Sequence, residues 1–159
     1  MTGEKAEAPG RAMYELLTRA RTGTLASLNR DDGAPYASLV NVAQDGEGFP
    51  LFLFSTLAWH TKNLAADPRC ALLVAELPDR GDVLTGSRIT IMGRLEPVSV
   101  AAALGHYLAR HPEAEGYARF GDFGLFRLVP ERVHALAGFG RIETLPAAGV
   151  FPSLAKDGA

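Results

Sequence analysis

Cysteine is almost absent. Cys70 stands alone among 159 residues, which excludes an internal disulfide framework and fits a reducing compartment. Long hydrophobic runs are missing too: the longest, Leu51–Phe54 and Ala71–Ala75, have strand length and fall far short of the roughly 20 apolar residues of a membrane helix. Neither sign of charge is in excess. The formal net charge is −2, and the sixteen Lys and Arg are scattered, so the concentrated basic surface of a nucleic-acid binder is not present. The first ten residues carry acids and no apolar stretch, which is not the pattern of a secretory signal. The expectation is a cytoplasmic protein without nucleic-acid or membrane partners.

What remains is an ordinary globular composition, 47% apolar and 21% charged, in a chain of single-domain size. Residues 1–10 read as a flexible start. Apolar spacing predicts a helix over Arg11–Arg21, ended by Gly23. Strands follow at Thr24–Leu28, Tyr36–Ala43 and Leu51–Ser55, separated by turns rich in Asn, Asp and Gly. The period changes over Thr56–Ala66, a short helix stopped by Asp67-Pro68.

Cys70–Glu76 and Ser87–Pro97 are strands, and Ser99 caps a helix over Val100–Arg110. A second short helix is expected at Tyr117–Phe120. Two last strands, Phe123–Val129 and Arg132–Phe139, are joined across Pro130-Glu131. This gives one mainly β (α+β) domain over 11–145, a Greek-key-like antiparallel barrel with short flanking helices, and a peripheral tail over 146–159.

The stretch Phe54-Ser55-Thr56-Leu57-Ala58-Trp59-His60-Thr61-Lys62 carries the clearest chemistry. An apolar strand delivers two hydroxyls to a turn, then a helix opens with His, Thr and Lys. Unpaired N–H groups at a helix start attract anions; Lys62 adds a full charge, and Thr61 or Ser55 can donate. The alternative is structural, with Thr56 capping the helix, Lys62 solvated and His60 packed on Trp59. Arg88 heads the long strand on the face of Thr90 and Met92 and either lines a polar pocket or pairs with a surface acid. Ser38 and Asn41 interrupt an apolar strand and point to opposite faces.

The four histidines are dispersed, and His106 and His111 do not share a helix face, so no metal site is expected. Gly138-Phe139-Gly140 lacks the third glycine of a dinucleotide fingerprint. Cys70 enters an apolar strand and reads as an inert thiol.

Taken in order and spacing, several marks resemble the pyridoxamine 5′-phosphate oxidase-like FMN-binding split-barrel family, nearest to its haem-utilisation branch. They are Thr24–Leu28, Gly33–Ser38, Ser55–Leu64, Asp67-Pro68-Arg69, Gly81–Leu84, Arg88–Gly93 and Gly138-Phe139-Gly140. The resemblance implies a split β-barrel homodimer holding FMN at the subunit interface. The strand carrying Ser38, Val40 and Asn41 would run beside the flavin, and Ser55, Thr56 and Leu57 would meet it. Thr61 and Lys62 would hold the phosphate next to His60, and Arg88 would reach the ring edge. The implied function is a flavin-dependent oxidoreductase acting on a small molecule, with no catalytic acid or base assigned.

The chain departs from the oxidase proper, which has Arg-x-Val-Leu-Leu-Lys where Ser38-Leu39-Val40-Asn41-Val42-Ala43 stands here. Two phosphate-binding cations and the pyridoxal-binding end are therefore missing. The rival expectations are a haem-binding protein with His134 or His111 as axial ligand, a deazaflavin (F420) in place of FMN, and a non-enzymatic binding module.

Overall fold

A computed structural model describes residues 8–137 and 141–155. Helix α1 (Pro9–Arg19) begins with a proline in its first turn, where a missing N–H is harmless. Strands β1 (Thr22–Leu28) and β2 (Pro35–Asn41) follow, then β3 (Ala43–Gln44) and β4 (Pro50–Ser55). Next come α2 (Trp59–Ala66), β5 (Arg69–Ala75), β6 (Arg88–Pro97) and α3 (Val100–Arg110). The chain continues through β7 (Phe123–Ala137), β8 (Arg141–Pro146) and α4 (Pro152–Ala155).

The eight strands form one sheet in the order β2-β1-β5-β6-β7-β4-β3, with β8 also paired to β7. Every pairing is antiparallel. Having β5, β6 and β7 as successive neighbours with β4 returning beside β7 is a Greek-key order. The two ends of the sheet, β2 and β3, are one stretch of chain broken at Val42, so the sheet curls back on itself as a split barrel. Expected as a single strand, Tyr36–Ala43 therefore changes partner midway, from β1 to β4.

Side-chain alternation sorts the sheet into two faces. Leu25, Leu72, Ile91 and Val133 share one register row, all fully buried inside the barrel. Met13, Leu16 and Leu17 of α1 join that core. A second apolar cluster lies outside, where Ala103, Leu104 and Tyr107 of α3 meet Ala43, Leu51 and Leu125.

Three expectations change. The two last strands are one continuous strand, β7, with a register shift at Met92/Gly93 that takes up Glu131 and leaves Pro130 opposite Gly93. A Cβ at Gly93 would stand 2.1 Å from the Val129 carbonyl oxygen, so only glycine fits that crossing. The short helix lies at Pro112–Gly116, a 3-10 turn, and not at Tyr117–Phe120. The tail over 146–159 is not peripheral along its described part: Ala147 and Val150 are buried in the core, and Phe151 is fully buried against Tyr14 and Phe49. Its apolar residues join the same core as Met13, Leu16 and Leu17 of α1. Gly138-Phe139-Gly140 lies outside the described residues. No helix among the described residues is long and apolar enough to cross a membrane.

Candidate functional site

The link from β4 to α2 is wound around Ser55. Its hydroxyl accepts from the Leu57 N–H at 3.2 Å, and its carbonyl accepts from the Ala58 N–H at 3.2 Å and the Thr61 hydroxyl at 2.7 Å. The Thr56 N–H donates to the Asp122 carbonyl at 2.7 Å. The helix starts three residues later than its apolar spacing predicts because these bonds hold Ser55–Ala58 as a turn. Its N-cap is Ala58, which offers no side-chain bond, so Thr56 is not the cap. Asn63 clamps the helix to the barrel, donating to the Ser27 hydroxyl at 3.3 Å and accepting from the Arg30 N–H at 3.1 Å.

Around this start the candidate residues divide. Thr61 is buried, with its one donor committed to the Ser55 carbonyl. Lys62 is exposed and has no partner among the described residues. His60 packs on Phe54, ring centroids 4.3 Å apart, and Trp59 turns instead to Tyr36 at 5.8 Å. Burial lowers the His60 pKa, and its Nε2 has no hydrogen-bond partner among the described residues. Ser38 ends the innermost apolar row, opposite Leu25, and its hydroxyl is likewise buried without a partner. Thr56 and Leu57 are exposed.

Other candidates lie elsewhere. Val40 is in the core. Asn41 points outward, as its alternation with Ser38 requires, and bonds to the Tyr107 hydroxyl beneath α3. Arg88 donates to the carbonyls of Leu84 at 2.9 Å and Gly86 at 3.3 Å, and it lines a cleft of about 670 Å³ between α1 and the strand ends. Register sets Arg88 opposite Ala75, at the Thr22 end of β1, whereas α2 is clamped at Ser27. Five strand residues span roughly 17 Å. One chain therefore does not bring Arg88 to the start of α2.

The outer face of the sheet carries a second cluster. Leu39, Thr24, Leu73, Thr90, His134 and Thr144 form one row across six strands. Leu39 is 79% exposed and Leu73 42%. His134 Nδ1 lies 2.7 Å from the Thr144 hydroxyl. His111, the other axial-ligand expectation, is 2% exposed with both ring nitrogens engaged, Nε2 with the Val42 carbonyl at 2.8 Å and Nδ1 with Glu113 at 3.2 Å. It cannot serve an external ligand. The Thr144 contact escaped sequence reasoning because Arg141–Pro146, exposed and proline-ended, did not read as a strand. Cys70 is buried, which pushes its thiol up to about 12, consistent with an inert group.

The family model described as pyridoxamine 5′-phosphate oxidase matches residues 10–137. The non-canonical heme oxygenase HOZ, chloroplastic, of Arabidopsis thaliana is 42% identical over 110 residues, covering 67% of this chain and 33% of the relative. A heme binding protein from Mycobacterium smegmatis superposes with a TM-score of 0.85 at 29% identity, covering 92% of this chain and 60% of that one. HutZ, the heme storage protein from Vibrio cholerae, shares the fold with a TM-score of 0.68 at 23% identity, over 80% of this chain and 92% of that one. The chain thus spans about a third of the length of the plant relative.

Proposed function

The chain belongs to the pyridoxamine 5′-phosphate oxidase family, and on that footing we propose that it is a haem-handling member, a split barrel that binds haem non-covalently and works as a homodimer. The observation that carries this reading is the pairing of two facts. The relatives of 42% and 29% identity are named for haem, and the cations that would hold a flavin phosphate are reduced here to Lys62. Thr61 stands beside it with its donor already used.

The residues present fit a porphyrin on the outer sheet face. Thr24, Ala26, Ala71 and Thr90 keep that face low, Leu39 and Leu73 make it apolar, and Arg132 supplies positive charge without an ion pair among the described residues. A flat apolar plate with two carboxylates is matched by such a surface. Exposed Leu39 and Leu73 also favour a second copy, because isologous contact is the commonest way to cover an apolar face. Haem, when bound, would supply iron-centred redox chemistry, and the chain would orient and enclose it.

A second reading, a flavin-dependent oxidoreductase, is favoured by one specific observation. The Ser38 hydroxyl and His60 Nε2 are buried without partners among the described residues, and buried polar atoms without partners ask for a polar ligand. His60 belongs with the uncapped start of α2 and with Lys62, which has no partner among the described residues, where a flavin phosphate would be expected. Ser38 lies on β2, the strand expected beside the flavin.

One experiment separates the readings: the purified chain is titrated in parallel with hemin and with FMN and followed by absorbance. The haem reading expects a saturable Soret band at one hemin per chain. Uptake of FMN without a Soret band selects the flavin reading, and uptake of neither selects a binding module of another kind. Sedimentation equilibrium at micromolar concentration should give twice the monomer mass; a monomer rejects the dimer.

A further inference from the structure

Haem iron takes an axial ligand from a histidine when a ring nitrogen with a free lone pair faces the cofactor. The chain has four histidines, and the fold distinguishes them. His111 has both nitrogens engaged inside the protein. His60 has its Nε2 buried and its ring against Phe54. His106 is exposed on α3, with no hydrogen bond among the described residues to fix its ring. His134 differs from all three. It is half-buried on the outer sheet face, with Nδ1 set by the Thr144 hydroxyl at 2.7 Å and no partner at Nε2 among the described residues.

Resting on the haem reading above, we infer that His134 Nε2 is the axial ligand to haem iron on this face. The Thr144 hydroxyl can accept from Nδ1–H, and in that tautomer the lone pair lies on Nε2, as metal binding requires. The surroundings suit the rest of the cofactor. Thr90 pairs with His134 across the strands, and Leu73 lies one strand further on. Arg132 is two residues from His134 on the same face, and Arg88 two residues from Thr90, roughly 7 Å along each strand. Arg132 holds no ion pair among the described residues and is open to a propionate, whereas Arg88 Nη1 already donates to the Leu84 and Gly86 carbonyls.

The test titrates hemin into the wild-type chain, His134→Ala, His134→Gln, Thr144→Val and the control His106→Ala, and reads absorbance, electron paramagnetic resonance and affinity. Wild type should give an imidazole-ligated spectrum. His134→Ala should lose it and bind hemin on the order of a hundredfold more weakly, and added imidazole should restore the spectrum. His134→Gln keeps a group for Thr144 and guards against misfolding; it should lose the same spectral signature at an unchanged melting temperature. Thr144→Val keeps the ligand but frees its ring, and should weaken hemin by about tenfold. His106→Ala should match wild type. If wild type binds hemin and both His134 variants give its spectrum and affinity, the ligand assignment is overturned while the haem reading stands. If wild type forms no Soret complex, the haem reading itself fails and the assignment with it.

Discussion

The two ends of β2 lie beneath two helices that treat polar groups in opposite ways. At the Val42 end, the C-terminal turn of α3 is bonded throughout. His111 holds the Val42 carbonyl and Glu113, Tyr107 meets Asn41, and Arg110 donates to the carbonyls of Thr18 and Ala20. Arg21 answers by donating to the Arg110 carbonyl at 3.0 Å. At the Pro35 end, where Tyr36 meets Trp59, the N-terminal turn of α2 has no side-chain cap and, among the described residues, a buried His60 Nε2 without a partner and a lysine without an acid. Both regions place a histidine against an aromatic ring. The difference teaches that the first seals the barrel where its sheet ends meet, and that the second has hydrogen-bonding capacity left for something outside the chain.

The sharpest way to break this comparison is at the seam. His111→Ala leaves the Val42 carbonyl buried and unpaired and removes a packed ring from beside Tyr107. A lost buried partner and a cavity together should destabilise the fold by about 4 kcal/mol. Urea unfolding reads this directly, and His60→Ala is the internal control. If His60→Ala proves the more destabilising, the seam is not where the structure is held.

Lys62 should behave in the reverse sense. Its removal should change stability by less than about 0.5 kcal/mol, as for other exposed side chains. On the flavin reading, Lys62→Ala should weaken FMN by about ten- to a hundredfold, the worth of one charge-assisted bond. Riboflavin, which has no phosphate, should bind both forms equally. Equal loss of the two ligands would remove Lys62 from the phosphate.

Thr61 separates the two roles inside one turn of helix. Thr61→Val keeps the shape but leaves the Ser55 carbonyl without that donor, and should destabilise by about 1 kcal/mol. Ligand affinity should change little once folding is allowed for. A larger effect on FMN than on the unfolding midpoint would return Thr61 to the binding site.

Strand positions, the barrel class and the α2 region were legible because they rest on local signals: alternation, turn residues and a strand handing hydroxyls to a helix. The misses have a common physical cause, dependence on distant partners. Arg141–Pro146 is exposed and ends in proline, and becomes a strand only because β7 supplies its hydrogen bonds. The segment beyond Leu145 looks like a Pro-, Ala- and Gly-rich tail until Phe151 is seen buried between Tyr14 and Phe49. Thr61 and Lys62 are adjacent in sequence, yet the fold turns one into the turn's own hydrogen bonds and leaves the other in solvent. Arg88 and Lys62 share a motif order but not a neighbourhood, which register alone decides.

The smallest expected effect is also the most discriminating. Burial lowers the pKa of His60 below its ordinary value of 6.5. Above that pH the ring is neutral in both folded and unfolded chains, and it contributes no slope. As pH falls through 6.5, the unfolded chain takes up the proton first, so stability should decline. His60→Gln has no ring to titrate, and the difference between the two unfolding curves, measured from about pH 7.5 to pH 5 where both remain two-state, isolates this one group from every shared titration. An unchanged slope would mean that the ring reaches solvent and that its Nε2 is not an unmet acceptor. Ligands then sharpen the contrast between the readings. A flavin that donates to Nε2 beneath α2 favours the neutral ring further and should steepen the slope. Haem on the outer sheet face makes no contact with His60 and should leave it unchanged.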